Sequence, residues 1–453
     1  MQVDAASSRP LWKSFLVFLG PLVLTNLLQA LSGTLNNIYV GQMLGIGALA
    51  AVAAFFPLLM LFVAFAIGLG SGASVLAGQA WGANKVERVR AIAGTVVCAG
   101  ALLGAATGLA GFFLAGPILR LLGTPADVLA DAIAYARVMM AFLPLLFVSI
   151  LTASVLRGVS DTVTPLLSLL ISSAVILVLT PTLIRGWSGL PALGVTSGAW
   201  ATVAATALSL GWMVWHLVRR GHPLAPDRGF GAHWRIEPAL LRQVVRLGIP
   251  TGLFFVTGSL ADLALVSLVN SHGSQATAAW GAVSQVMAYV QFPAMSISIT
   301  ASVLAAQAIG AGRTGQVEAV TRVGLGMNIV LTGGLAVLVA MQAPHIVGLF
   351  ITDPEVVRLA AGLLHIAVWG AVMLGLASVF SGVMRASGTV LVPTGITLSL
   401  LAFVLFPLGW TFNRTFGLPG IWMAHPATYL AGLTLQACYY HGVWKKQPLR
   451  RLV

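Results

Sequence analysis

The same residues recur at a fixed offset through an almost entirely apolar chain. Gln79 and Gln307, Gly82 and Gly310, Arg157 and Arg385, and Pro165 and Pro393 each stand 228 positions apart. The tripeptide Gly-Leu-Pro at 189–191 returns at 417–419 with the same spacing. Around these anchors SVLAGQAWGA answers SVLAAQAIGA, and VLRGVSDTVTP answers VMRASGTVLVP. An offset of about half of the 453 residues means two copies of one unit in tandem. Two homologous helix bundles facing each other enclose a cleft, and substrate sites of secondary transporters lie at such repeat interfaces. The repeat therefore constrains fold and function together.

With 58% of its residues hydrophobic and 8% charged, the chain is too apolar for a soluble domain. Apolar stretches of about 20 residues can each cross about 30 Å of hydrocarbon. Twelve of them lie near 13–35, 49–72, 92–114, 133–155, 164–184, 195–218, 245–269, 280–305, 320–342, 360–382, 391–411 and 419–441. Barrel strands would show short alternating segments instead, so all are read as helices. The expected fold is all-α and integral to the membrane: twelve transmembrane helices in two six-helix lobes related by an internal pseudo-two-fold repeat. Residues 1–218 are the expected N-terminal lobe, 219–244 a cytoplasmic linker and 245–453 the C-terminal lobe. The first span is too long for a signal peptide and lacks a small-residue cleavage site, so it is expected to be retained.

A net charge of +13 raises the question of a nucleic-acid partner. Its placement answers against one. With a cytoplasmic start, 19 of the 24 Lys and Arg fall on one side: Arg9, Lys13, Lys85, Arg88, Arg90, Arg157, the cluster from Arg219 to Arg246, Arg313, Arg322, Arg385 and the tail from Lys445 to Arg451. The other side keeps Arg120, Arg137, Arg185, Arg358 and Arg414. That asymmetry is the positive-inside rule, and it puts both termini in the cytoplasm. The expected location is the plasma membrane (the inner membrane in a bacterium), and the basic excess meets anionic lipid headgroups. A monomer is expected, with lipid and a small-molecule substrate as its partners. Cys98 and Cys438 stand in opposite halves, giving little ground for a disulfide or a metal. No cofactor is expected beyond a coupling ion, H⁺ or Na⁺.

Few residues within the spans carry chemistry. Of the eleven acids, only Asp262 in GSLADLALVSLVN falls well inside a span. An Asp at a helix centre costs roughly 2.5–3.5 kcal/mol on insertion scales, so such residues usually face a cavity and serve ion or substrate pathways. Asp262 is therefore the leading coupling-ion or proton site, and it is expected, with Asn36, to face a cleft between spans 1–6 and 7–12. A structural role, capping or bonding a neighbouring helix, is the competing explanation. His365 in span 10 is a second proton candidate, because histidine changes charge near neutral pH. Asn26, Gln29 and Asn36, with Gly33 between, fall on one face of span 1, and Asn37 follows. An amide-rich face avoids lipid, so it looks into a cavity or bonds another helix. Span 8 offers Gln285, Met287, Tyr289, Gln291 and Phe292, with Met and Phe able to line a pliable apolar pocket or simply to pack. Pro57 and Pro293 are expected to bend their helices. Arg157 and Arg385 are expected to secure inner helix ends or snorkel to headgroups.

The stretch GQMLGIGALAAVAAFFPLLMLFVAFAIGLGSGASVLAGQAWGANKVERVR resembles the multidrug and toxic compound extrusion (MATE) family, as do the two Arg-containing repeats and the two GLP turns. The loops are similar to those of the DinF-type branch rather than the NorM-type. The resemblance implies two six-helix lobes around a central cavity, and export of organic cations and other amphipathic compounds as H⁺ or Na⁺ enters. It also implies charged positions that this chain lacks. The family's ion-binding Asp on span 1 corresponds to Asn36 and Asn37 in LNNIYVG, and an Asn and an Asp on span 5 correspond to Ile176 and Thr180. A Glu on span 7 in the NorM-type corresponds to Gly258. An amide neither gains nor loses a proton in the physiological range. The first-lobe site is thus expected not to titrate, which leaves Asp262.

The expected function is a secondary active antiporter exporting amphipathic, often cationic small molecules by alternating access. The alternative is a lipid-linked sugar flippase of the same superfamily, whose cationic cavities and extra spans this chain lacks. An integral-membrane enzyme would need paired acids or clustered His near an interface; the eight His are scattered and form no HExxH. A channel would need a ring of charges, which is not present.

Overall fold

The computed structural model describes residues 10–189, 191–226, 234–449 and 451–453. Arg9, Leu190, Arg228 and Arg450, which belong to the patterns above, lie outside the described residues. Helices run Leu11–Leu44 (α1), Ile46–Gly82 (α2), Val86–Leu121 (α3), Ala126–Gly158 (α4), Val163–Arg185 (α5) and Ser197–Arg219 (α6). They continue as Pro238–Asn270 (α7), Ser274–Gly310 (α8), Gly315–Met341 (α9), Pro354–Ala386 (α10), Leu391–Phe416 (α11) and Leu418–Gly442 (α12). Among the described residues, 11 helices are long and apolar enough to cross a membrane, namely α1 to α11. The last stretch, α12, is long but carries His425, Pro426, Thr428, Tyr429 and Gln436, which dilute its apolar character. Helices α9 and α11 each contain one π-helical turn, Asn328–Thr332 and Leu401–Leu405.

Two compact units emerge. The first comprises Leu24–Trp81 and Lys85–Ile249; the second comprises Gly82–Asn84, Pro250–Val453 and the part of α1 up to Val23. The transfers in α1 and α7 fall close to a helical proline, Pro21 and Pro250. Proline withholds an N–H from the helix and crowds the preceding turn, so it marks a natural point for a change of course. Helix α7 already begins at Pro238, inside the stretch expected as linker.

Within the first unit, small residues let α3 lie directly on α4. A Cβ at Gly104 would come 2.7 Å from Pro144 Cα and 2.9 Å from the Leu143 carbonyl oxygen, so only glycine fits there. Without a hydrophobic drive between helices in lipid, such close backbone approach is what holds spans together. The described part of the linker is tied to α3 by polar contacts. Arg88 meets Glu237 at 2.9 Å, Arg90 Nε donates to the Pro223 carbonyl at 2.8 Å, and Thr95 Oγ1 donates to the Arg235 carbonyl at 3.1 Å.

The second unit has its apolar core where α8, α10 and α12 meet, built on Leu265, Val283, Val286, Leu364, Val368 and Ile421. Gly382 of α10 plays the same part as Gly104, since a Cβ there would stand 2.8 Å from the Ser298 carbonyl oxygen of α8. The start of α1 joins this unit through Phe18 and Leu22, which pack on Val303. At helix ends, Arg185 lies over the Trp187 ring at 4.7 Å and Arg414 over Trp410 at 3.7 Å, a pairing suited to the membrane–water interface.

Candidate functional site

The first unit assembles a neutral polar lattice around Asn36. Thr180 Oγ1 of α5 donates to Asn36 Oδ1 of α1 at 3.4 Å. Gly198 of α6 makes room beside them, because a Cβ there would already stand 3.4 Å from Oδ1 and 3.5 Å from Nδ2. One turn earlier on α1, Ser32 shares a 2.6 Å hydrogen bond with Ser173 of α5. Asn26 and Asn36 are half-buried, whereas Gln29, Gly33 and Asn37 are exposed. The amide row thus splits, with Asn36 engaging a neighbouring helix and Gln29 and Asn37 left exposed. Ile176 is half-buried and brings no polar group.

In the second unit, the Asp262 side chain of α7 is 65% exposed. The reason lies in its position on α7. Asp262 sits between exposed Leu260 and Leu263, while Ala261 and Leu265 turn into the core. Its partner is one that carboxylate counting does not reveal: His425 of α12 places Nε2 3.6 Å from Asp262 Oδ1. His425 is only 11% exposed, and its Nδ1 has no hydrogen-bond partner among the described residues. Its ring is packed among aromatics, with centroids 5.5 Å from Trp422, 6.0 Å from Trp280 and 6.0 Å from Tyr429. Trp280 and Trp422 lie 4.2 Å apart and are themselves buried. Pro426, next in the chain, deprives the Trp422 carbonyl of its helical donor and sets its ring against Gly370 of α10, 3.5 Å from a Cβ position. A histidine inside a predicted span carries the same signal as an acid there. Searching for carboxylates alone passes over it.

The remaining candidates do not join this pair. His365 is exposed, with Nδ1 2.6 Å from the Ala361 carbonyl of its own helix. Gln285 is exposed, and Tyr289, Gln291 and Phe292 are half-buried, with Tyr289 and Phe292 in edge contact at 5.8 Å. Met287 is a correction. It is 7% exposed and belongs to the apolar core, because it shares a face of α8 with Val283, Val286 and Val290. Gly258 is half-buried, one turn before Asp262.

At the loop end of α6 stands a second His–Asp pair. Asp161 caps α5, accepting from the Thr164 N–H at 2.9 Å and from Thr164 Oγ1 at 2.6 Å. His222 Nε2 lies 4.0 Å from its other contact, Asp161 Oδ2, and His222 Nδ1 accepts from the Leu224 N–H at 3.2 Å. Burial pushes the His222 imidazole below its ordinary value, and the Asp161 charge opposes that only in part. Arg157 is half-buried and donates to Ser154 at 2.7 Å, tying it to its own helix. Among the described residues no group of three or more His, Cys, Asp or Glu is placed to hold a metal, and Cys98 and Cys438 are both free.

Eleven helices long and apolar enough to cross a membrane among the described residues, with sparse polar groups between them, define an integral membrane protein. The chain belongs to the MatE family, whose pattern matches it twice, at residues 21–182 and 250–411. It is similar to a probable multidrug resistance protein, YoeA, of Bacillus subtilis, with 38% identity over 100% of this chain and 98% of that one. Its fold resembles an outward-facing multidrug resistance MATE family transporter of the MOP superfamily, with TM-score 0.88, 20% identity and 96% and 97% of the two chains covered. It also resembles the Vibrio cholerae MATE transporter VcmN in its bent form, with TM-score 0.85, 21% identity and 96% and 97% covered.

Proposed function

We propose that this protein is a secondary active antiporter that exports amphipathic, often cationic small molecules by alternating access, driven by H⁺ or Na⁺. The observation that carries the reading is the full-length likeness to a relative whose name says multidrug resistance. Membership of the MatE family supports the same direction. The architecture that goes with it is twelve spans in two six-helix lobes, 1–218 and 245–453, joined by a cytoplasmic linker over 219–244. Both termini are cytoplasmic, the membrane is the plasma membrane, and the protein works as a monomer.

Asp262 is the coupling site in this reading. It is an exposed carboxylate within the apolar part of α7, and an acid inside a membrane span is costly and usually functional. The substrate route draws on Asn26, Gln29, Asn36, Asn37, Gln285, Tyr289, Gln291 and Phe292, with His365 a secondary proton group. Amides and aromatic rings that shape a route without adding charge suit amphipathic cations of varied form.

The test uses purified protein in liposomes loaded with ethidium. A proton gradient, a sodium gradient and a membrane potential are imposed separately. Ethidium movement against its own gradient under one of the ion gradients is expected. Movement that only ever follows the ethidium gradient would overturn the antiporter reading.

A further inference from the structure

We propose that His425 is the proton-accepting partner of Asp262, and that the pair forms an exchange site where a proton on the imidazole and an organic cation compete for one carboxylate. The proposal rests on the reading of Asp262 as the coupling site and adds the group that makes the exchange obligatory.

Geometry supplies the argument. The Asp262 carboxylate is open on one side, being 65% exposed, and on the other side meets His425 Nε2 at 3.6 Å. The imidazole is enclosed, and its Nδ1 has no hydrogen-bond partner among the described residues. A charge taken up by an enclosed ring needs an opposite charge nearby. The groups facing this ring are Asp262 from α7, Trp280 from α8, and Trp422 and Tyr429 from α12 itself. From α10 the backbone of Gly370 approaches Tyr429 and Pro426, and no ionisable side chain of α10 is recorded against the ring among the described residues. Aromatic faces favour a cation on the ring only modestly. Among the described residues, Asp262 is therefore the one full negative charge placed to compensate an imidazolium.

The two states exclude each other. With His425 neutral, the exposed oxygen of Asp262 carries an uncompensated charge and attracts an organic cation. With His425 protonated, the imidazolium takes up that charge and the cation is released. The proton enters from water onto the imidazole and leaves the same way. Only an N–H bond is made or broken.

The test is ethidium binding to the purified full chain in nanodiscs, followed by fluorescence anisotropy between about pH 5.5 and pH 8, where histidine changes charge. Binding by the unaltered protein is expected to weaken about tenfold as pH falls, a coupling within the usual range for linked sites. His425→Gln, which retains a hydrogen-bonding group but cannot protonate, is expected to lose most of that dependence. Asp262→Asn is expected to weaken binding at the upper pH. A wild-type pH profile in His425→Gln, together with weakened binding in Asp262→Asn, overturns the role of His425 and leaves Asp262 in place. Unchanged binding in Asp262→Asn overturns both. A second measurement needs no variant: histidine NMR of the unaltered protein, with the His425 resonance followed as ethidium is added. Linkage is reciprocal, so saturating ethidium must lower the pH at which His425 protonates. An unmoved midpoint rejects the exchange site.

Discussion

Thr180 Oγ1 of α5 donates to Asn36 Oδ1 of α1 at 3.4 Å, joining the two positions where the family resemblance implies acids. Both side chains are neutral here. A hydroxyl and an amide can satisfy each other without any ion, so this corner holds α1 to α5 whatever the protonation state elsewhere. Ser32 and Ser173 repeat the device one turn away.

Asn36→Ala is accordingly expected to alter ethidium affinity or range without removing gradient coupling. Losing one neutral hydrogen bond costs about 1 kcal/mol, which corresponds to roughly a fivefold change in affinity. Transport assays under a proton or sodium gradient check it. Complete loss of gradient-driven export in Asn36→Ala, with the protein still folded, would return coupling to the first unit.

Gly104→Val is expected to destabilise the protein strongly. The added side chain meets backbone, 2.7 Å from Pro144 Cα, and backbone cannot rotate aside. Overpacking of this kind costs about 1–3 kcal/mol. Gly334→Val supplies the comparison, since nothing lies within 4 Å of a Cβ there. Thermal unfolding in detergent should separate the two variants, and equal midpoints would contradict the close α3–α4 approach.

His222 makes stability depend on pH at the loop end of α6. Its folded value lies below its ordinary one, so between the two the native state binds fewer protons than the unfolded chain. Stability contributed by the neutral, enclosed ring is complete above about pH 6.5 and is lost progressively as pH falls below it. His222→Gln should flatten that part of the profile. Thermal midpoints measured at about pH 7.5 and pH 5.5 test it, and an unchanged difference between them would remove His222 from the account.

Much of the fold was legible in the sequence, because hydrocarbon admits only helices or closed barrels, and continuous apolar runs of about 20 residues fit helices alone. Helix ends were less so. Hydropathy marks the apolar part of a span, yet α2 runs from Ile46 to Gly82 and keeps its helical bonds through Gln79. The same limit governs the candidate site. Asp262 stands out as a lone acid, and its surroundings do not: its exposure follows from which side of α7 turns to the core. His425 is 163 residues further along the chain, and only folding brings its ring within 3.6 Å. Met287 shows the converse, since a flexible apolar side chain suits a pocket and a core equally well until its neighbours are known.

The prediction that decides the most concerns Asp262→Asn. Asn36, Ile176, Thr180 and Gly258 stand where the family resemblance implies charged or amide groups, and the other ten acids lie outside the span interiors or at their ends. The substitution keeps the size of the side chain and its contact with His425 while removing the charge. A proton or sodium gradient would then have no carboxylate to act on, and a cation would lose the group that attracts it. Gradient-driven ethidium export is expected to fall to the background of empty liposomes, with ethidium binding weakened about tenfold or more, the usual scale for removing a close opposite charge. Binding that survives at reduced strength would show that the amide and aromatic groups still hold the substrate. Undiminished export in Asp262→Asn would remove this carboxylate from the mechanism and leave His365, or transport without coupling, to account for the protein's activity.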